Sequence, residues 1–319
     1  MIEISQIRKS YKNTKALDGF NLQVAEGELI GLVGPNGAGK TTLIKILATL
    51  IRSDEGVARI AGIDVSRAKD STKRIVGYMP DQPGLYQDMR VREFLEFFAD
   101  AFQLRGSARL AAVDLALERS GLSSRSRAFV EELSFGMRQR LLMAKTLLHQ
   151  PKVLLLDEPA TGLDPLARID LRHQLQQLSA QGMTILVSSH ILSDLEDICS
   201  RVALISSGRN ATDEQGRSVL DLRAKTRDSG PRSRMYELEI LGNAEAASRA
   251  AAELSGVRVL HIASPRVVVE ISGDDVAVAN LLHHLITFGV QVVKFSPSEA
   301  SLEDRYRRIF GKGVESNPS

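Results

Sequence analysis

Cysteine is nearly missing from this sequence: Cys199 stands alone among 319 residues. One thiol excludes an intrachain disulfide and any cysteine-cluster zinc site, which suits a reducing cytosol. Cys199 itself reads as a small apolar filler on a helix. Net charge is nearly missing too, since 41 Lys and Arg face 39 Asp and Glu, leaving about +2. Nucleic-acid binders usually carry a basic excess or a basic stripe, so no nucleic-acid partner is expected. Long apolar runs are lacking. The best, Val153-Leu154-Leu155-Leu156, stops at Asp157, far short of the ~20 residues that cross a bilayer. The N-terminus, MIEISQIRKSYKN, has no apolar segment of signal-peptide type. Membrane association is therefore expected only through a partner or a surface helix.

The chain does contain 43% hydrophobic and 25% charged residues, the balance of a soluble globular protein with room for two domains. Residues 1–213 alternate short apolar runs with helical patterns, the signature of an α/β domain with a mainly parallel sheet. Strands are expected at Leu29–Val33, Ile75–Tyr78, Val153–Leu156, Thr184–Ser188 and Arg201–Ile205. Lys40–Leu50 has an apolar face at helical spacing. Another helix opens at Pro165 behind Asp164 as N-cap, runs through Leu166, Ile169, Leu175 and Leu178, and ends near Gly182. About 90–150 reads as a helical insertion, with Leu110, Val113 and Leu117 forming one face. The polar, basic stretch LRAKTRDSGPRSR lies within an expected linker, 214–234. Residues 235–311 then follow the order β-α-β-β-α-β plus a helix at Ser301–Phe310, the pattern of a small ferredoxin-like α+β domain. The tail 312–319 reads as disordered.

Gly34-Pro35-Asn36-Gly37-Ala38-Gly39-Lys40-Thr41 fits the P-loop pattern at every fixed position, between a strand and an apolar helix. Glycines let successive N–H groups point at phosphate oxygens. The helix beginning at Lys40 aims its positive end at the same place. Lys40 is expected to reach the β- and γ-phosphates and the Thr41 hydroxyl to ligate Mg²⁺, with Thr42 beside it. Leu154-Leu155-Leu156-Asp157-Glu158-Pro159 is an apolar strand ending in two acids. Strand ends of that kind open at the ligand crevice of doubly wound sheets. Asp157 is expected to hold Mg²⁺ through its water shell, and Glu158 to polarise an attacking water as general base.

Leu133-Ser134-Phe135-Gly136-Met137-Arg138-Gln139-Arg140 lies just before that strand. It resembles the signature of the ABC ATPases, usually written LSGGQ, with Phe135 and Met137 as departures. Ser134 is placed to cap the following helix. Ala160-Thr161-Gly162-Leu163-Asp164-Pro165 resembles the family's D-loop, and Ser188-Ser189-His190 its switch-histidine motif. Tyr11 stands where the family has an aromatic that stacks on adenine. The family's Q-loop glutamine belongs after Gly77-Tyr78-Met79-Pro80, where this chain has Asp81 and then Gln82. Either of these polar residues fits a role near Mg²⁺. The resemblance covers residues 1–213 without gaps. It implies a P-loop NTPase core of the RecA-like type with antiparallel β and helical subdomains.

The resemblance further implies an ATPase that works as a head-to-tail dimer, Ser134 and Gly136 of one subunit closing over ATP on the P-loop of the other. Whether the pair is a homodimer or a heterodimer stays open. Three classes compete: an exporter motor, a soluble ribosome-acting ABC protein and a chromosome-maintenance ATPase. The second class normally carries two nucleotide domains in one chain, and the third a long coiled coil between Lys40 and Ser134. Neither feature is present. Leu85–Phe102, with Phe94, Phe97 and Phe98, resembles the surface that receives a coupling helix of a membrane subunit on another chain. The Gly-Tyr-Met-Pro-Asp form and the C-terminal Ser301-Leu302-Glu303-Asp304 helix resemble the ABC-2 exporter group. A peripheral position on the cytoplasmic face of the membrane follows as an expectation.

Overall fold

The structure is a computed structural model that describes residues 1–12, 14–82, 84–190, 195, 198–212, 216–221, 233–273 and 275–297. The expected helix Ser301–Phe310, the tail and most of the expected linker lie outside the described residues. The chain divides into two compact units, Met1–Arg223 and Ala224–Arg305.

In the first unit, β1 (Ile2–Tyr11) and β2 (Thr14–Val24) form an antiparallel pair whose register shifts three times. β3 (Leu29–Val33) is buried along its whole length and leads through 34–39 into α1 (Lys40–Leu47). β4 (Glu55–Ile60) and β5 (Ile63–Asp64) complete a four-stranded antiparallel sheet in the order β2-β1-β4-β5. Next come α2 (Lys69–Ile75), β6 (Val76–Met79), α3 (Val91–Ala101), α4 (Gly106–Arg119), α5 (Phe135–Leu147) and β7 (Val153–Asp157). α6 (Pro165–Ala180), β8 (Thr184–Ser189), β9 (Arg201–Ser206), β10 (Arg209–Asn210) and β11 (Val219–Asp221) finish the unit.

The second sheet runs β10-β9-β3-β8-β7-β6, with β11 added on β9. Its five central strands, β9 to β6, are mutually parallel. Parallel strands covered on both faces read as unbroken apolar runs, as Val153–Leu156 does. The main core joins both sheets. Ile2, Ile7 and Phe20 from the antiparallel sheet meet Leu32, Leu155 and Leu186 from the parallel one, with Leu43, Ile44 and Leu47 of α1 in the same cluster. Each such aliphatic side chain, fully withdrawn from water, is worth about 1.5–3 kcal/mol. This packing fixes the start of α1, and so the loop before it.

The helical insertion is built by α3, α4 and α5. Val91, Phe94, Leu95 and Ala99 make the buried face of α3. Phe94 is thus core, while Phe97 is 45% exposed, because the two lie on different sides of one helix. Leu110 is exposed too, and α4 buries Val113, Ala116 and Leu117 instead. In α6, Leu166 and Ile169 are exposed, and burial falls on Leu175 and Leu178. That end is tied down where Ser179 Oγ donates to the Gly27 carbonyl at 2.9 Å.

The second unit comprises β12 (Ser233–Leu241), α7 (Ala244–Ala252), β13 (Val257–Ala263), β14 (Arg266–Ser272), α8 (Asp275–Thr287) and β15 (Gln291–Pro297). Its sheet is antiparallel throughout, in the order β13-β14-β12-β15. Both helices cover one face, over a core of Leu238, Ile240, Val267, Val269, Ala247, Leu281 and Leu285. Asn243 caps α7 by accepting from the Glu245 and Ala246 amides.

His149 joins the helical insertion to the parallel sheet. Its Nε2 lies 3.0 Å from the Val76 carbonyl, and its ring stacks on Phe102 with centroids 4.0 Å apart. Burial pushes its pKa below the usual value, the Val76 contact opposing this and the Lys145 charge adding to it. A histidine pKa lowered by folding means that the unfolded chain binds more protons, so stability falls as pH drops below about 6.5. Scanning calorimetry is expected to show the parent losing more melting temperature between pH 7.5 and 5.5 than a His149→Asn variant. An equal loss in both would contradict the contribution assigned to His149.

Candidate functional site

Adjacent parallel strands deliver their C-terminal ends to one place, the usual ligand position in sheets of this kind. β3 ends at Val33 and opens into 34–39, β7 ends in Asp157, and β8 ends just before His190. A cleft of about 360 Å³ forms there, lined by Ala16, Asn36, Gly37, Ala38, Gly39, Lys40, Thr41, Thr42, Asp81, Glu158, Thr161 and His190.

The glycines of the loop divide by purpose. A Cβ on Gly34 would lie 2.1 Å from the Ile205 carbonyl oxygen. One on Gly39, whose φ is +107, would lie 2.4 Å from the Ala16 carbonyl oxygen. At these two positions glycine answers to the protein's own packing. Gly37 differs: a Cβ there would meet nothing within 4 Å among the described residues, so it borders the open cleft.

Lys40 is 5% exposed. Its Nζ donates to the Gly34 carbonyl at 2.8 Å and lies 3.3 Å from Glu158 Oε1. The other Glu158 oxygen is 2.8 Å from His190 Nδ1 and accepts from the His190 amide at 3.3 Å. Glu158 therefore bridges an ammonium and an imidazole. Its φ of +51 lies in the left-handed region, which non-glycine residues enter only when their surroundings impose it. The Glu158 amide is fixed by Ser188 Oγ at 3.0 Å.

Asp157 is 1% exposed and accepts from Ser188 Oγ at 2.7 Å. Burial raises its pKa; hydrogen bonds from Ser188 and Thr41 oppose this, and the nearby charges of Glu158 and Asp81 add to it. Its second oxygen is buried with no hydrogen-bond partner among the described residues. A buried carboxylate oxygen in that condition, with the Thr41 hydroxyl on the same group, fits a hard cation or its water shell.

The remaining expected residues fall in three places. Asp81 lines the cleft, whereas Gln82 is exposed and outside its lining. Ser134 caps α5, accepting from the Met137 amide at 3.3 Å, with Gly136 in the first turn. Asp164 caps α6, accepting from the Ala167 amide at 2.8 Å. Tyr11 is 46% exposed at the end of β1 and carries Lys9 Nζ over its ring at 5.6 Å. Phe135, the departure in the signature-like segment, lies within van der Waals reach of a side chain placed at Gly162. Ser188 was not singled out by its motif, although its pairing opposite Asp157 in the β7–β8 ladder gives it two contacts at the site. Ala16 and Thr161 also went unassigned.

The sequence profile of the family described as ABC transporter matches residues 17–161. Nod factor export ATP-binding protein I of Burkholderia pseudomallei is 41% identical over 221 residues, covering 69% of this chain and 72% of that protein. The chain belongs to the ABC transporter family. Within that family it is an ATP-binding subunit and an ATPase coupled to transport. Daunorubicin resistance ATP-binding protein DrrA3 of Streptomyces coeruleorubidus is 37% identical over 208 residues, 65% of this chain and 66% of that one. Among solved structures, an ATP-binding subunit of an ABC transporter aligns with TM-score 0.60 at 30% identity, over 66% of this chain and 87% of its own. The ATP-binding cassette MJ0796, dimeric in a post-hydrolysis state with ADP and Pi, aligns with TM-score 0.62 at 25% identity, over 70% and 100%. The ABC ATPase fold thus accounts for the first unit.

The Lys40–Glu158 pair yields a measurable consequence. In Glu158→Gln the buried ammonium keeps a hydrogen-bonding neighbour but loses its counter-charge, a cost of about 1–3 kcal/mol. The nucleotide-free variant is expected to melt below the parent, and ATP, whose phosphates restore negative charge beside Lys40, to close most of the gap. A variant melting like the parent without nucleotide would contradict the pairing.

Proposed function

We propose that this chain is the motor of an ABC-2-type exporter. It closes with a second nucleotide-binding subunit around two ATP molecules and drives a membrane subunit on a separate chain. The observation that carries the reading is the Lys40–Glu158–His190 constellation beside the P-loop, where a carboxylate, an ammonium and an imidazole converge. The curated relatives' names, Nod factor export and daunorubicin resistance, support the direction of transport.

In this reading the amides of residues 34–39 and the Lys40 ammonium hold the β- and γ-phosphates, with Thr42 alongside. Glu158, released from Lys40 when phosphate arrives, accepts a proton from the attacking water, and His190 contacts the γ-phosphate and orients the base. Thr41, Asp157 and Asp81 are the residues that hold Mg²⁺ or its waters, and Asp81 rather than Gln82 takes the Q-loop position. When bound, Mg²⁺ supplies positive charge against the phosphate oxygens. Tyr11 offers its exposed ring to adenine. Ser134 and Gly136, at the start of α5, and Asp164, at the start of α6, face the partner's nucleotide.

The membrane subunit is expected at the exposed aromatics of the helical insertion. Tyr86 and Phe97 meet edge to face at 5.4 Å, and Phe97 meets Phe98 at 5.2 Å. Among the described residues no helix is long and apolar enough to cross a membrane. Docking on that partner is what would hold the chain at the cytoplasmic face. The second unit is read as a ferredoxin-like accessory domain, because two helices cover one face of a four-stranded antiparallel sheet with its first and third strands adjacent. It is assigned to dimer contact or regulation, with a linker at 214–234 before it.

Site variants and reconstitution test the assignment. Lys40→Ala is expected to weaken ATP binding about 10- to 100-fold. Glu158→Gln is expected to retain binding, lose about 10²–10⁴-fold in turnover, and run as a dimer with ATP on size exclusion. Turnover at the parent rate in Glu158→Gln would remove Glu158 as the base. Reconstitution in vesicles with a membrane subunit of the ABC-2 exporter type is expected to give ATP-dependent outward transport. Failure of the two chains to co-purify would contradict the transporter assignment.

A further inference from the structure

Four buried side-chain oxygens of the first unit, on Thr49, Tyr78, Gln139 and Asp157, have no hydrogen-bond partner among the described residues, and two of these belong to neighbouring strands: Tyr78 Oη on β6 and Asp157 Oδ2 on β7. In the parallel ladder Tyr78 stands beside Leu155. Residues two apart on a strand share a face, so Leu155 and Asp157 point the same way as Tyr78. The step from Leu155 to Asp157 is about 6.6 Å, a length that a tyrosine side chain leaning along its strand spans. The ring packs against the core around α1, the helix whose first turn carries Thr41. Burial pushes the Tyr78 phenol up to about 12, with the charges of Asp157 and then Asp81 adding to it. The phenol therefore lies within electrostatic reach of both acids.

A phenylalanine would fill the same apolar space without stranding a hydroxyl. Leaving that hydroxyl unpaired costs about 1–3 kcal/mol, so its presence needs a purpose that packing alone does not provide. We infer that Tyr78 is a positioning residue for the divalent metal that accompanies the nucleotide: its hydroxyl fixes the free oxygen of Asp157, and through that oxygen the metal's hydration shell. The inference rests on the proposed role of Asp157 toward Mg²⁺ and extends it to a residue outside the recognised motifs. Ser188 holds one oxygen of the carboxylate at 2.7 Å; Tyr78 would hold the other once the metal is bound. Partners of that outer kind orient the groups that bind a metal and change its affinity about 10- to 100-fold.

The test is a Mn²⁺ titration followed by electron paramagnetic resonance on the full chain loaded with ADP, comparing the parent, Tyr78→Phe and Asp157→Asn. Tyr78→Phe is expected to weaken Mn²⁺ about 10-fold. Its ADP affinity in EDTA is expected to stay at the parent value, and its metal-free melting temperature to equal or exceed the parent's. Mn²⁺ affinity within twofold of the parent, alongside a clear loss in Asp157→Asn, would overturn the role of Tyr78 and leave the metal site standing. Parent-like Mn²⁺ affinity in Asp157→Asn would instead overturn the reading of Asp157. A lower metal-free melting temperature in Tyr78→Phe would show that the hydroxyl already has a partner, and would also overturn the inference.

Discussion

A buried ammonium must find negative charge, and at Lys40 that requirement organises the site. Stranding a charge in a protein interior costs several kcal/mol. Lys40 avoids this through the Gly34 carbonyl and Glu158. The second partner, Glu158, meets it from a backbone in the left-handed region. That turn in turn places its carboxylate against His190. The polar groups of the cleft are thus held in mutual contact, each charge already neutralised by a neighbour.

Much of this was legible in the sequence, for physical reasons that differ from place to place. The parallel strands were visible because burial on both faces writes an unbroken apolar run, as in Val153–Leu156. The P-loop and the two acids were visible because phosphate chemistry restricts the residues allowed at each position. The α+β order of the second unit was visible from alternation and helical spacing, although the sheet order was not. β1, β2 and β4 were harder to delimit. Their pairing slips at Ile4/Ile7, Ile7/Arg8 and Lys9/Ser10, and each slip breaks the two-residue alternation that marks a half-buried strand.

Local patterns also misjudged which side of a helix faces inward. Phe94 and Phe97 looked alike in sequence, yet one is core and the other surface. Leu110, Leu166 and Ile169 fit apolar stripes and remain exposed. A stripe says that a helix has an apolar side; only its neighbours decide how much of that side is covered. The loop glycines teach a related lesson. Gly34 and Gly39 suit a phosphate-binding loop, but the atoms that forbid a larger residue there belong to Ile205 and Ala16.

The strand order has a consequence for how the molecule moves. β7, which ends in Asp157, is hydrogen-bonded on one side to β8, which leads to His190, and on the other to β6, which leads to Asp81. Those backbone ladders are short and stiff, so the three strand tips behave as teeth of one comb. Displacing the central tooth carries both neighbours with it, with no relay of side chains required. The outer tooth, β6, is also the one that His149 grips from behind at Val76, with Thr146 of α5 packed against its Gly77, so the comb and the helical insertion share one joint.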